Sequence, residues 1–153
     1  MNESYLQKLV DESDIINLIN RFCFSVDMHD YKTMRSCLAD EIEFDYTALF
    51  GTQMPSNADE LVKNVRLNHR GLKGTQHITT NHLVTVEGDT AKCRTNFQAQ
   101  HFLPNDRGNS LWTLGGRYYY SLVRLSGEWK IFGCVISVIW TDGNLQIFDL
   151  AHK

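Results

Sequence analysis

Four side chains in this sequence are of types that together can move a proton at carbon: Asp27, Tyr46, His77 and His101. Taking a proton from carbon next to a carbonyl needs a base titrating near working pH and a donor that steadies the enolate oxygen. An imidazole serves as that base when a carboxylate fixes its tautomer, leaves one ring nitrogen free to accept, and stabilises the imidazolium that forms. His77 is the imidazole in this reading and Asp27 the carboxylate. Tyr46 would donate to the oxyanion directly or through a water, and His101 would protonate a departing hydroxide. The chemistry is then an elimination of water, or of another leaving group, from a small and largely apolar or aromatic substrate.

The elements that must place these groups follow from periodicity. From about Tyr5 to Met28 the helical period holds, with Asp11 or Ser13 as an internal start signal, and Ile15, Leu18, Ile19, Phe22 and Val26 form one apolar stripe. Asp27 borders that stripe, so its charge either snorkels to solvent or is held against a partner in a cavity; the plain alternative is that it merely ends the helix. Asp30 caps a short second helix closed by Ala39-Asp40-Glu41. Ile42, Phe44 and Tyr46 then alternate with acidic residues as a first strand, and Gly51 to Pro55 is a loop. Asn57 and Glu60 have the capping-box spacing of a third helix, which carries Leu61, Val62 and Val65 inward and ends at Gly71 and Gly74. The rest reads as strands: Gln76 to Val86, Ala91 to His101, Leu111 to Leu125, and Trp129 to Trp140. Three helices before a large, mostly antiparallel sheet make an α+β protein, read as a single domain over residues 1–153.

Register tests whether the two histidines can meet. A plain two-residue loop at Gly88-Asp89 sets Val86 against Ala91 and His77 against Gln100, which puts His77 and His101 on opposite faces. A β-bulge or a three-residue loop corrects the parity and bends the sheet, so an irregularity is expected between them. Each residue also has an ordinary alternative. A strand histidine is often a core or surface residue, Tyr46 could be a core tyrosine with its hydroxyl at the rim, and His101 could bond between strands. Within Tyr118-Tyr119-Tyr120 the alternate members face opposite sides. Arg117 is expected at a solvated strand edge, and Trp112, Trp129 and Trp140 in core or subunit contacts.

Composition narrows the class. A hydrophobic share of 42% and a charged share of 22% over 153 residues describe an ordinary globular chain. No apolar run is long enough to cross a bilayer, and the N-terminus lacks a signal-peptide pattern, so a cytoplasmic location is expected. A net charge of -3 without a basic cluster disfavours nucleic acid. Cys23, Cys37, Cys93 and Cys134 read as buried free thiols. His77 and His82, an odd number apart on one strand, should face opposite ways, which argues against a metal site.

At Asp27, Asp45-Tyr46, Thr75-Gln76-His77, His101 and Gly127-Glu128-Trp129-Lys130, from about Asp14 to Trp140, the sequence resembles the SnoaL-like family of the nuclear transport factor 2-like superfamily, and within it the scytalone dehydratases. Hexachlorocyclohexane dehydrochlorinases and bile-acid 7α-dehydratases look like more distant cousins. The resemblance implies a cone-like α+β barrel in which a strongly curved sheet wraps the helices around an apolar pocket. It implies that Asp27 orients His77, that Tyr46 polarises a substrate carbonyl, usually through water, and that His101 helps the leaving group, with no metal or organic cofactor. Val26 stands where a second tyrosine is expected and Tyr118 where a substrate-contacting asparagine is, so the polar lining differs; Val26, Tyr118 and Phe97 are taken as substrate-contacting. The implied partner is a small hydrophobic molecule, and the implied assembly a homo-oligomer, trimer favoured over dimer. Ketosteroid-isomerase-like double-bond migration and a non-catalytic binding or scaffold subunit are the competing readings on this fold.

Overall fold

The computed structural model describes residues 3–152. Helix α1 (Glu3–Asp27) is 25 residues long, and its apolar stripe of Ile15, Leu18, Ile19, Phe22 and Val26 is buried. It stops where His29 turns the chain with a φ of 55°, and the Asp30 amide closes back on the Ser25 carbonyl. Asp30 then caps α2 (Tyr31–Ser36) by accepting from the Thr33 amide. That helix ends earlier than its composition suggests. Strand β1 (Leu38–Asp45) takes up Ala39, Asp40 and Glu41, because Leu38 pairs with Ile131 and sheet pairing outweighs local helix preference. After β1 comes a four-residue helix, α3 (Thr47–Phe50), which the sequence pattern does not mark, and then α4 (Ala58–His69), capped by Asn57 as expected.

The remaining strands are β2 (Gly74–Glu87), β3 (Thr90–Phe102), β4 (Leu111–Leu125) and β5 (Glu128–Gly143), followed by a short helix α5 (Ile147–Ala151). They form one five-stranded sheet in the order β1-β5-β4-β3-β2, antiparallel except for the parallel β1–β5 pair. This is the expected mixed, mostly antiparallel sheet of an α+β cone, with two more helices than the three foreseen.

Bulges bend the sheet. Gly115 and Gly116 face Trp140 and Val138 across β5, so Ile139 is extra. A Cβ on Gly115 would stand 2.4 Å from the Trp140 ring and one on Gly116 2.0 Å from the Ser137 carbonyl, so the close approach that makes this bend requires glycine. The hairpin between β2 and β3 is the regular two-residue one, with Val86 opposite Ala91. The register then slips between Thr80 and Leu83, so that His77 opposes Ala99 instead of Gln100. Asn81, with a φ of 57°, absorbs the turn of the chain.

The hydrophobic core lies between the concave face and the helices, and joins α1 and α2 to Phe97, Leu114, Tyr118, Tyr120, Leu122 and Ile131. Away from the open end, Asp11 of α1 is buried and accepts two hydrogen bonds of 2.9 Å from Arg124 and one of 3.1 Å from the Trp129 indole. Asp11 is therefore a core anchor and does not start the helix. Burial raises its carboxyl pKa, but hydrogen bonds from Arg124, Trp129 and Gln7 outweigh this and leave it below the usual range. All four cysteines are free and buried.

Candidate active site

Asp27 sits in the last turn of α1, where the helix dipole disfavours a negative charge. Its neighbours on β2 supply the compensation. One carboxylate oxygen accepts from the His77 backbone amide at 2.8 Å, and the other meets His77 Nδ1 at 2.6 Å and accepts from the Thr75 hydroxyl at 3.1 Å. Both side chains are 13% exposed, so the pair lies at the edge of the interior. With Nδ1 committed to the carboxylate, Nε2 is left as the nitrogen that can accept a proton. Two of the three contacts come from the side chain and main chain of one strand residue, which fixes both the position and the tilt of the ring.

The slip at Asn81–His82 puts Thr75, His77 and Thr79 on the concave side, in line with His101 on the neighbouring strand. The His77 and His101 rings lie 5.8 Å apart, centroid to centroid, and nearly perpendicular. The same slip overturns one sequence expectation. His82 falls on the inner row with Val84 and Val86, so it and His77 share a face; it is half-buried, its Nε2 is sealed from solvent, and burial lowers its pKa. Among the described residues, no group of three or more His, Cys, Asp or Glu side chains is placed to hold a metal ion.

These residues open onto a cavity of about 430 Å³. Its wall is largely aromatic and aliphatic, with Phe22, Val26, Phe44, Tyr46, Trp112, Leu114, Tyr118, Tyr120 and Phe148 all contributing. Polar groups gather on one side: His77, His101, Asn64, Asn68 and His69, with Asp149 and His152 near the C-terminus. Val26 and Tyr118 therefore line the cavity as expected, whereas Phe97 does not. Its ring is stacked 4.0 Å behind Tyr118, where it supports the wall without reaching the space. Trp112, expected in the core or a subunit contact, is core and wall at once.

Tyr46, at the end of β1, directs its hydroxyl to the Cys134 thiol at 3.7 Å, a weak bond that a substrate oxygen or a water can replace. Burial, joined by Cys134 and Tyr118, pushes the Tyr46 phenol well above 10, so it is a donor and never an anion at neutral pH. Burial likewise raises Tyr118 and Tyr120, while Tyr119 is exposed and points away. The Cys23 thiol, also on the wall, is pushed up to about 12, first by burial and then by the Asp27 charge, and so is not a nucleophile. Arg117 lies exposed as expected, but on β4, the middle strand of the sheet, and not at a strand edge.

His101 is only 5% exposed. Its pKa falls to about 3, chiefly through burial and then through His77 and His69. Proton donation from a resident imidazolium is thus closed to it; it acts as a neutral hydrogen-bonding ring. His69, at the last turn of α4, was absent from the sequence reading, as were Asn64, Asn68 and the whole of α5. The signal was there in part: Leu61, Asn64, Val65, Asn68 and His69 share one helix face by their spacing. Nothing local, however, says that this face meets β3.

An α1–α4 lid over a curved, bulged sheet, with an aromatic cavity open at one end, is the cone of the nuclear transport factor 2-like fold. The chain belongs to the SnoaL-like family, whose domain profile matches residues 7–134. Among solved structures it is similar to the Kfla4162 protein of Kribbella flavida, with a TM-score of 0.86 and 22% identity over 95% of this chain and 99% of that one. It is also similar to a protein of Novosphingobium aromaticivorans named as a candidate scytalone dehydratase, with a TM-score of 0.77 and 21% identity over 88% of each chain. A third is the hexachlorocyclohexane dehydrochlorinase LinA-type3 of Novosphingobium barchaimii, with a TM-score of 0.75 and 17% identity over 92% of this chain and 94% of that one. At such identities the likeness speaks for the fold alone. A search of curated proteins gave no significant sequence match.

Proposed function

We propose that this protein is a cofactor-independent lyase that eliminates water, or a comparable leaving group, from a small apolar or aromatic substrate bearing a carbonyl. The observation that carries the reading is the 2.6 Å contact between Asp27 and His77 Nδ1 at the edge of an aromatic cavity. In this reading Nε2 of His77 takes the proton next to the carbonyl while Asp27 stabilises the imidazolium. Tyr46, released from Cys134, donates to the enolate oxygen directly or through a water. The imidazolium of His77 then carries the acquired proton and is the acid that can return it to the departing oxygen, with neutral His101 offering an N–H or a lone pair to that oxygen. Such a cycle places abstraction and return on one face of the substrate. Val26 and Tyr118 contact the substrate's apolar body.

Isomerisation is the second reading, supported by the same neutrality of His101: with no separate acid in place, the His77 imidazolium could return its proton to another carbon. The apolar side chains Ile78, Leu83, Tyr119, Val135 and Trp140, exposed on the sheet, support a homo-oligomer, and the family resemblance favours a trimer over a dimer. Light scattering that returns the 17.6 kDa of one chain would refute that.

Solvent-deuterium exchange into a panel of β-hydroxy carbonyl and phenolic compounds tests the reading. Exchange catalysed by wild type and lost in both His77→Ala and Asp27→Asn, with the fold intact by circular dichroism, is the expected outcome. Equal exchange by wild type and both variants on every active compound rules out the dyad. Loss of a leaving group from the same compounds separates the lyase from the isomerase.

A further inference from the structure

Helix α1 carries apolar side chains on two opposite sides. One is the buried stripe from Ile15 to Val26. The other is Leu6, Val10, Phe24 and Met28, which with Ser13 and Asn17 fall within an arc of about 60° on a helix that turns about 100° per residue. This second line is exposed along its whole length; Val10 is 50%, Phe24 66% and Met28 75% accessible. A surface helix ordinarily turns charge to solvent, so a contiguous apolar line there calls for a partner. Residues 4–10 add to the need, since none of them is buried and the first two turns of α1 have no core of their own to hold them.

The order of side chains along the line says what the partner is. Both ends are apolar and the middle is polar, with Asn17 at the centre. An antiparallel copy of α1 centred on Asn17 sets Leu6 against Met28 and Val10 against Phe24, because the members of each pair are equally distant from Asn17 in sequence. The same arrangement brings Asp14 beside the partner's Arg21. Both are exposed, neither makes an ion pair within its own chain among the described residues, and both border, with Asn17, one surface recess at the flank of the line. A parallel copy would instead set Asp14 against Asp14 and Arg21 against Arg21. On the axis, the Asn17 amide donates within its own chain only to the Ser13 hydroxyl, at 3.5 Å, and its carbonyl oxygen is free to accept from its counterpart.

We infer that the outer face of α1 is a docking surface for a second copy of this chain, paired antiparallel about a two-fold axis through Asn17, with apolar contacts at both ends and Asp14–Arg21 ion pairs at the rim. This face is separate from the exposed apolar residues of the sheet, and the inference does not rest on the proposed function. It joins single chains, or assemblies built through the sheet, two by two. The line is about 33 Å long and about one helix wide, a strip of a few hundred Å² against the roughly 800 Å² per partner of a standard interface, so the pairing is reversible.

The test is sedimentation equilibrium of the full chain from about 1 to 200 μM, the range in which a strip of this size should associate. The wild-type mass should double with concentration, whether it starts from the 17.6 kDa of one chain or from a sheet-built multiple of it. Phe24→Glu, an exposed position whose fold circular dichroism checks, should weaken the doubling by about tenfold or more. Asp14→Arg should weaken it too, and Asp14→Arg/Arg21→Asp should restore it. Oxidation should link Asn17→Cys to itself, whereas Val10→Cys should link to Phe24→Cys in a mixture far better than either links alone; the four native cysteines are buried. A mass that does not double, or that doubles equally in Phe24→Glu, would overturn the inference, as would Val10→Cys linking to itself as readily as to Phe24→Cys. So would a chain that stays undoubled yet sediments with phosphatidylcholine vesicles through Phe24, which would assign the face to a lipid surface. A sheet-built assembly that persists in Phe24→Glu leaves the sheet association standing, so the two surfaces are read separately.

Discussion

Burial of two neutral imidazoles makes the protein's stability sensitive to mild acid. His69 and His101 fall from the ordinary 6.5 to about 4 and about 3 on folding, in both cases chiefly because burial penalises the charged ring and then because of His77. The unfolded chain therefore binds more protons than the folded one below pH 6.5, and stability must decline as pH falls through that range. One pKa unit corresponds to about 1.4 kcal/mol, so each ring should cost about 2 kcal/mol between pH 6.5 and 5. That window lies above the titration of unfolded carboxylates, which isolates the histidines. His82 shifts the same way and adds a smaller effect. For a domain of this size, a loss of about 4 kcal/mol lowers Tm by on the order of 10 °C. Urea unfolding at fixed temperature, at pH 7.5 and 5, measures the change directly, and the double variant His69→Phe/His101→Phe should lose most of the slope while retaining the stack with Phe148. A wild type that loses less than about 1 kcal/mol over the window, or a double variant that keeps the full slope, would refute the assignment of these rings as buried and neutral.

Other consequences can be measured independently. Asp11→Ala leaves the Trp129 indole without its acceptor and Arg124 with Asp89 alone, and should lower urea stability by about 1–3 kcal/mol without altering ligand binding in the cavity. Deleting Asn81 removes the bulge and shifts either half of β2 by one residue; if the hairpin end holds its register, His77 turns outward, and nitrogen-15 shifts should report loss of its bond to Asp27. Gly71→Ala places a Cβ 1.8 Å from the Ala151 carbonyl, so amide exchange over residues 147–151 should accelerate as α5 is pushed from its seat.

Much of the architecture is local information. The stripe from Ile15 to Val26, the Asn57 cap and the alternation from Ala91 to His101 depend on neighbours in sequence, and each is found as read. So is the need for an irregularity between His77 and His101, because parity along a ladder is arithmetic that any sheet must obey. Local signals failed where a long-range contact outweighed them. Ala39-Asp40-Glu41 is drawn from helix into a strand that pairs with β5 on either side of it, at Leu38 and from Glu43 to Asp45, Asp11 leaves its capping role for Arg124 and Trp129, and Phe97 packs behind Tyr118 because that ring takes the space in front.

What the sequence by itself determined was which residues can carry proton chemistry and which faces they occupy, since both follow from side-chain type and from the 3.6- and 2-residue periods. Only the tertiary structure decided which residue meets which. It put His82 on the inner row, where strict alternation had turned it outward, and brought His69 of α4 and Phe148 of α5 against His101. The physical reason is that a bulge, a helix's azimuth and the docking of a five-residue C-terminal helix are set by packing over the whole cone, and leave no period in the chain to be read.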